Sequence, residues 1–224
     1  MNIAIIPARG GSKRIPRKNI KDFFGKPVIA YSIEAAIDAC CFDRIIVSTD
    51  DEEVADIAKN FGAEVPFIRP CDISDDYAST LDVISHAITE LKLPDNTNVC
   101  CIYATAPLIS SEKLKEGLAI FSASKLDYVF SATEFSYPIQ RAFKLSNNSN
   151  VEMFQPEHFN SRSQDLEKAY HDAGQFYWGS SSAFLLKTSI FSSNSKPVIL
   201  PTTQVQDIDT PEDWRLAEML FKIS

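Results

Sequence analysis

Two stretches of the chain hold residues whose types and spacing suit work on a polyanion. The first is Pro7-Ala8-Arg9-Gly10-Gly11-Ser12-Lys13-Arg14-Ile15-Pro16-Arg17-Lys18-Asn19. Adjacent glycines let backbone N–H groups turn toward an anion, an arginine can fork onto two phosphate oxygens, and lysines supply point charges. Arg9, Lys13 and Lys18 are the candidates for those roles. An ordinary basic, flexible loop has the same composition, so residue types alone leave both readings open. The spacing does exclude two common nucleotide loops. There is no G-x-x-x-x-G-K-[ST] and no G-x-G-x-x-G, which removes the main support for P-loop kinases and nicotinamide dehydrogenases. The second stretch is Asp207-Ile208-Asp209-Thr210-Pro211-Glu212-Asp213. Alternate residues of an extended segment share a face with Cα atoms roughly 6.5–7 Å apart, so Asp207 and Asp209 can grip one hard cation such as Mg²⁺. Asp209 also stands just before a helix start, where a negative charge complements the helix dipole. Spacing leaves these two roles balanced.

The elements that must position these groups follow an alternating pattern. Ile3–Ile6 predicts a buried first strand, and the basic loop follows it, where open α/β sheets place ligands. Pro27 opens a helix through Ile37, Arg44–Ser48 is a second strand, Asp51–Phe61 an amphipathic helix stopped by Gly62, and Glu64–Arg69 a third strand. Ser79 and Asp82 form a capping box for a helix reaching Leu91. Val99–Tyr103, a helix over Ser111–Ser122 and a strand at Tyr128–Ala132 come next. After Ser136 the rhythm breaks: Ser146–Asn150 predicts a hairpin turn, and the next clear strand is Gln175–Trp178. Residues 138–174 therefore read as an insertion, either a lid or dimerisation element or a plain surface excursion. Ser180–Phe191 is expected to be helical, Pro197–Leu200 extended, and Thr210-Pro211-Glu212-Asp213 starts the last helix. Strands alternating with helices imply a single α/β domain over residues 1–224, with a mostly parallel sheet covered on both faces.

Charge sharpens the picture. The net charge is −8, yet residues 1–26 carry +6 and the remainder −14. A pI near 4.9 with one short basic stretch argues against a nucleic-acid-tracking surface and fits a small anionic ligand better. No stretch approaches the roughly 20 apolar residues of a membrane span, and the N-terminus lacks the layout of a signal peptide, so no membrane partner and a cytoplasmic location are expected. The five cysteines, Cys40, Cys41, Cys71, Cys100 and Cys101, show no C-x-x-C spacing, which disfavours zinc and disulfide frameworks and suggests small buried side chains.

The whole thirteen-residue loop resembles the signature of the CMP-sialic acid synthetases, the cytidylyltransferases that activate nonulosonic acids, and the resemblance runs from Met1 to the terminal helix. It implies a nucleotide-diphospho-sugar transferase-like fold and transfer of CMP from CTP to the anomeric hydroxyl of an acidic nine-carbon sugar. It also implies Mg²⁺ as cofactor and a homodimer in which the insertion reaches toward the partner's site. By carry-over, the stretch Ala8-Arg9-Gly10-Gly11-Ser12-Lys13 binds the CTP phosphates with Lys18 assisting, and Asn19 meets the nucleotide near its base and sugar. Arg69 and Thr80, within Arg69-Pro70 and Asp76-Tyr77-Ala78-Ser79-Thr80, are similar to the base-reading segment; from chemistry alone Arg69 is almost as well explained by an ion pair with Asp75 or Asp76. Asp207 and Asp209 match the metal-binding segment.

The sialic acid branch carries a Gln-Pro-Thr-Ser-Pro-like string where this chain has Tyr103-Ala104-Thr105-Ala106-Pro107, so Tyr103 replaces a sugar-contacting glutamine. Asn160–Leu166 and Tyr170-His171-Asp172-Ala173-Gly174-Gln175-Phe176-Tyr177 look like the branch that activates pseudaminic acid, with flagellin or surface-glycan glycosylation as the implied destination. Tyr103, Phe154, Phe176 and Tyr177 then become candidate apolar walls, although core packing explains some of these aromatics equally well. Gln140, Arg141 and Arg162 become candidates for the sugar's carboxylate and polar groups, and His171 a candidate substrate contact. The other enzymatic readings are the same transfer to legionaminic, sialic or 3-deoxy-octulosonic acid and a glycosyltransferase with a D-x-D metal motif. A nucleotide-binding protein that has lost catalysis is the non-enzymatic alternative.

Overall fold

The computed structural model describes residues 1–75 and 78–223. Along the chain the elements are β1 (Asn2–Pro7), β2 (Asp22–Phe23), β3 (Lys26–Pro27), α1 (Val28–Asp38), β4 (Arg44–Ser48) and α2 (Glu52–Asn60). They continue with α3 (Thr80–Glu90), β5 (Asn98–Ile102), α4 (Ser111–Ala123), β6 (Tyr128–Glu134), β7 (Phe143–Leu145) and β8 (Val151–Met153). The last are β9 (Tyr170–Ser180), α5 (Ser181–Leu185), β10 (Ser195–Leu200) and α6 (Pro211–Phe221).

Six strands form one sheet in the order β10-β6-β9-β5-β1-β4. β1 pairs in parallel with β4 and β5, and β10 with β6, while β9 runs antiparallel between β5 and β6. The inner strands are covered on both faces, which is why β1 (Ile3, Ala4, Ile5, Ile6) and β5 (Val99, Cys100, Cys101, Ile102) are unbroken apolar runs. One face packs Ala4, Ile6, Cys100, Ile102, Phe176 and Trp178 against α1 and α4 residues such as Ile33 and Leu114. The other packs Ile3, Ile5, Val99, Cys101, Tyr128 and Tyr177 against Ile84 and Ala87 of α3 and Phe184 of α5. Each such aliphatic side chain taken fully out of water stabilises the fold by about 1.5–3 kcal/mol before entropy is counted.

A third cluster matters most for the site. Ile15 of the basic loop, Phe23, Val28, Ile208 and Trp214 bury one another, with Tyr31 and Phe221 packed on them. Phe23 is the hub, meeting Tyr31, Trp214 and Phe221 edge-on at centroid distances of 5.4–5.5 Å. It fastens the N-terminal loop to the segment before α6, so residues about 190 apart in sequence share one apolar anchor.

Several expectations need correction. Glu64–Arg69 does not form a ladder strand; it makes only isolated bridges, Ile46 to Glu64 and Thr49 to Ile68, because Pro66 has no N–H to donate. Ser180–Phe191 is not one helix. Ser180 caps the five-residue α5 with its side chain, and Lys187 at φ 51° turns the chain away just after it. The strand expected at Gln175–Trp178 is much longer, Tyr170–Ser180. Cys40 and Cys71 are exposed, Cys41 is half-buried, and only Cys100 and Cys101 lie in the core, since the first three sit at a helix end and in a tight turn and not in strands. Among the described residues no helix is long and apolar enough to cross a membrane.

Candidate active site

The basic loop leaves the C-terminal end of β1 and is held by polar contacts to the end of β4. Ala8 donates its N–H to Ser48 O at 2.9 Å and Gly10 donates to Asp50 Oδ1 at 3.0 Å. These two amides, expected among the anion-facing groups, are therefore committed to the scaffold, and Ala8 is buried. Gly10 is required for a steric reason: a Cβ there would collide with the Asp51 carboxylate, whereas one on Gly11 would meet open space. Asp51 caps α2 through Val54 N–H and binds Arg17 at 2.5 and 3.0 Å. Arg17 adopts φ 54°, turning the loop back across the site. That pairing holds the Asp51 carboxyl below its ordinary value, with the Arg17 hydrogen bond as the largest cause. Asn19, nearly buried, donates from Nδ2 to Arg9 O at 2.8 Å. Its amide nitrogen thus shapes the loop.

A cavity of about 570 Å³ opens over this loop. Arg9, Ser12, Lys13, Arg14, Lys18 and Asn19 line one part, Arg69, Ser74, Asp75 and Thr80 another, and Tyr103, Ala104, Thr105 and Asp209 complete it. Lys18 donates to Ile208 O at 2.6 Å and lies 3.4 Å from Asp209 Oδ1, while Arg14 meets the same oxygen at 2.8 Å. The loop cations and the C-terminal carboxylate thus share one site. Ile208 is wholly buried; of the residues on either side of it, Asp209 lines the cavity and Asp207 lies beside Gly174, outside the lining. Thr210 and Asp213 make the reciprocal cap of α6, with Asp213 also accepting from Asp209 N–H. The capping work is done without the Asp209 side chain, which faces the cations. Burial first, and then the charge of Asp209, push the Asp207 carboxyl up, against the opposing pull of Lys18.

Arg69 is 4% exposed. Its Nε donates to Ser74 Oγ at 3.1 Å and NH2 lies 3.7 Å from Asp50 Oδ1, so its carboxylate partner comes from the end of β4. Burial lowers its pKa, Asp50 opposing and nearby Arg9 reinforcing the shift. Asp76 and Tyr77 of the expected base-reading segment lie outside the described residues. Thr80, the first residue of α3, is 3.1 Å from the Tyr103 hydroxyl.

The other expected sugar contacts are not brought to this cavity. Tyr177 is buried behind Tyr103, its hydroxyl bonded to Asp172, and Phe176 points into the opposite core face. Gln140 donates to Glu167 O, Arg162 pairs with Asp165 on the surface, and His171 contacts Asp172 O and the ring of Phe135. Arg141 ends an exposed turn, and Phe154 is 63% exposed. The sequence reading gave no role to Arg14 and Ser74, which line the cavity, or to Asp50, which holds Gly10 and Arg69. Asp50 follows β4 at the carboxyl edge of the sheet, a position that points to a ligand site in open α/β folds. Ser74 has no comparable signal.

A family model described as Cytidylyltransferase matches residues 3–211. A pseudaminic acid cytidylyltransferase of Campylobacter jejuni is 51% identical over all of this chain and 97% of its own length. A Legionella pneumophila CMP-N,N'-diacetyllegionaminic acid synthase is 31% identical, covering 99% of this chain and 97% of that protein. A solved structure of CMP:2-keto-3-deoxy-manno-octonic acid synthetase complexed with CTP superposes with a TM-score of 0.72 at 16% identity, over 99% of this chain and 98% of that one, which supports the fold. With its mostly parallel sheet, its loop after β1 and these relatives, the chain belongs to the cytidylyltransferase family.

Proposed function

We propose that this protein transfers CMP from CTP to pseudaminic acid, releasing pyrophosphate. The observation that carries the reading is a single cavity lined by Arg9, Lys13 and Lys18 together with Asp209, in a chain half identical to a pseudaminic acid cytidylyltransferase. The anomeric hydroxyl of the sugar bonds through its oxygen to the α-phosphorus of CTP as the bond from that phosphorus to the β-phosphate bridge breaks, and the hydroxyl proton passes to solvent. Arg9, Lys13 and Lys18 neutralise the triphosphate and the departing pyrophosphate, and no covalent enzyme intermediate is needed. Arg69, Ser74 and Thr80 form the wall that receives the base, and Tyr103 borders the sugar.

The carboxylates of Asp207 and Asp209 fit a hard divalent cation. They are oxygen donors, and burial and then the charge of Asp209 push the Asp207 carboxyl up, against the pull of Lys18. Mg²⁺ keeps several waters and takes substrate phosphate oxygens, so one or two carboxylates are enough to hold it. When bound there, Mg²⁺ supplies Lewis-acid neutralisation of the phosphate and acidifies a nearby hydroxyl.

The insertion over residues 138–174 is the element we assign to dimerisation. It exposes Phe143, Leu145, Val151, Phe154 and Phe159, each more than half accessible, and a partner subunit would both cover them and bring Gln140, Arg162 and His171 to a sugar site. Pyrophosphate release should be measured with CTP and a panel of pseudaminic, legionaminic, sialic and 3-deoxy-octulosonic acids, each with Mg²⁺ or EDTA. Turnover fastest with pseudaminic acid and abolished by EDTA is expected; preference for another acid would reassign the substrate, and none with any acid would leave a nucleotide-binding protein.

A further inference from the structure

Arg14 lines the cavity, and the reaction as described gives it no task. The next residue, Ile15, is buried in the aromatic cluster, so the backbone here is anchored, while the Arg14 side chain is 64% exposed. Its tip lies 2.8 Å from Asp209 Oδ1. Lys18 approaches the same oxygen at 3.4 Å, but its Nζ also donates to Ile208 O at 2.6 Å and its side chain is 19% exposed. One carboxylate oxygen therefore faces two cations of unlike character. Lys18 is fixed by a main-chain carbonyl. Arg14 is held by an exposed ion pair, a contact that is weak and readily exchanged. The Asp209 carboxylate is also spared from capping α6, which Thr210 and Asp213 do between them.

An oxygen that already faces two positive charges is a poor ligand for a third, because the cations repel one another at contact distance. A polyphosphate changes that balance. It carries several negative charges, and a guanidinium fork matches a pair of phosphate oxygens better than a single carboxylate oxygen. Arg14 lines the cavity together with Arg9, Ser12 and Lys13, so its long side chain can turn from Asp209 to a phosphate while Ile15 holds the backbone in place. We propose that Arg14 is an exchangeable counter-ion of Asp209: it covers the carboxylate until a polyphosphate draws it away, and the freed oxygen then serves the divalent cation. Without a nucleotide, Arg14 keeps divalent ions off Asp209. With one, the same guanidinium becomes a phosphate contact. The proposal rests on the cytidylyl-transfer reading, with the cation placed at Asp209.

The test reads binding, so it does not depend on turnover. Mn²⁺ is the probe: its affinity for the full chain is measured by electron paramagnetic resonance with no nucleotide present, and the affinity for CTP by calorimetry in EDTA. Wild type is compared with Arg14→Gln, Arg14→Lys and Asp209→Asn, and Arg14→Gln is also made in the Asp209→Asn background. Arg14 lies outside the core, so these replacements leave the fold intact. Arg14→Gln is expected to tighten Mn²⁺ binding and to weaken CTP binding, each by about threefold or more, the scale of one exposed ion pair. Arg14→Lys keeps the charge and should stay nearer to wild type in both. In the Asp209→Asn background, Arg14→Gln should bring no gain in Mn²⁺ affinity. A smaller gain than threefold in the Arg14→Gln single variant overturns the proposal; if CTP binding still weakens, Arg14 is a phosphate contact and nothing more. A gain that persists in the Asp209→Asn background also overturns it, since the effect then comes from the charge of the loop as a whole. A wild type that shows the expected binding pattern but releases no pyrophosphate with any acid sugar refutes the transfer reading and leaves the exchange standing.

Discussion

The loop after β1 and the insertion after β6 both hold residues suited to a charged substrate, but they differ in what holds them in place. In the loop, Ala8, Gly10, Arg17 and Asn19 are tied to Ser48, Asp50, Asp51 and Arg9, and Ile15 is anchored in a buried aromatic cluster. The insertion has short turns, one two-stranded hairpin and bare apolar side chains, with its polar candidates bonded locally. The polyphosphate side is preorganised within one chain, so binding there needs little reordering. In the proposed function, the sugar side is left for a second surface to complete.

The largest test of that contrast lies at the Asp pair. Asp209→Ala should lower kcat by about 10³-fold, in the range expected for losing a group that stabilises transition-state charge. Because Asp209 neither caps α6 nor enters the core, its Tm should stay within about 2 °C of wild type; near-normal turnover in magnesium would remove it from the mechanism. Arg9→Ala comes next, with kcat/KM for CTP falling about 10²-fold and the oligomeric state untouched. A variant equally impaired in sugar and nucleotide binding would blur the division between the two regions. In the insertion, Leu145→Asp combined with Phe154→Asp should convert a dimer to monomers by light scattering. It should reduce kcat/KM for the sugar roughly tenfold, about the loss of one modest contact, while CTP binding is unchanged. A fully active monomer would end the proposed sharing of sites.

The smallest effect concerns the cap that aims Thr80 into the cavity. Asp82 receives Ser79 N–H and O–H and pairs with Lys187, and these contacts hold its carboxyl down at about 2, the Lys187 bond being the largest cause. A depressed carboxylate contributes stability above its unfolded value of about 3.9 and loses it as pH falls through that value toward 2. Asp82→Asn should therefore cost about 1 kcal/mol at pH 7, or a Tm loss of about 2–4 °C. The difference from wild type should vanish near pH 2. A gap independent of pH would assign the effect to packing.

Much of this was legible in local pattern. The apolar runs of β1 and β5, the capping boxes at Ser79 and Thr210, and the hairpin around Ser146–Asn150 each depend on interactions within a few residues, and each element lies where the pattern put it. The loop's residue types were legible too, but the division of labour inside it was not. Nothing local tells that Gly10 gives its N–H to Asp50 or that Arg14 shares Asp209 with Lys18. Strand-like composition at Glu64–Arg69 failed because Pro66 limits pairing, and Ser180–Phe191 failed because a strand and a short helix meet at one capping serine.

By itself, then, the sequence determined the order of most strands and helices, the cationic loop, the paired aspartates and the family to which they belong, since these follow from residue types at short spacing. Tertiary structure alone decided that Lys18 meets Asp209 across the molecule, that Arg69 takes Asp50 as its partner, and that Asp172 and Tyr177 come to the same face of β9. The first two depend on an aromatic cluster and a sheet edge that join distant segments, and the third on extra residues in a strand that reverse its alternation. Those are properties of packing and register, which no short window of sequence contains.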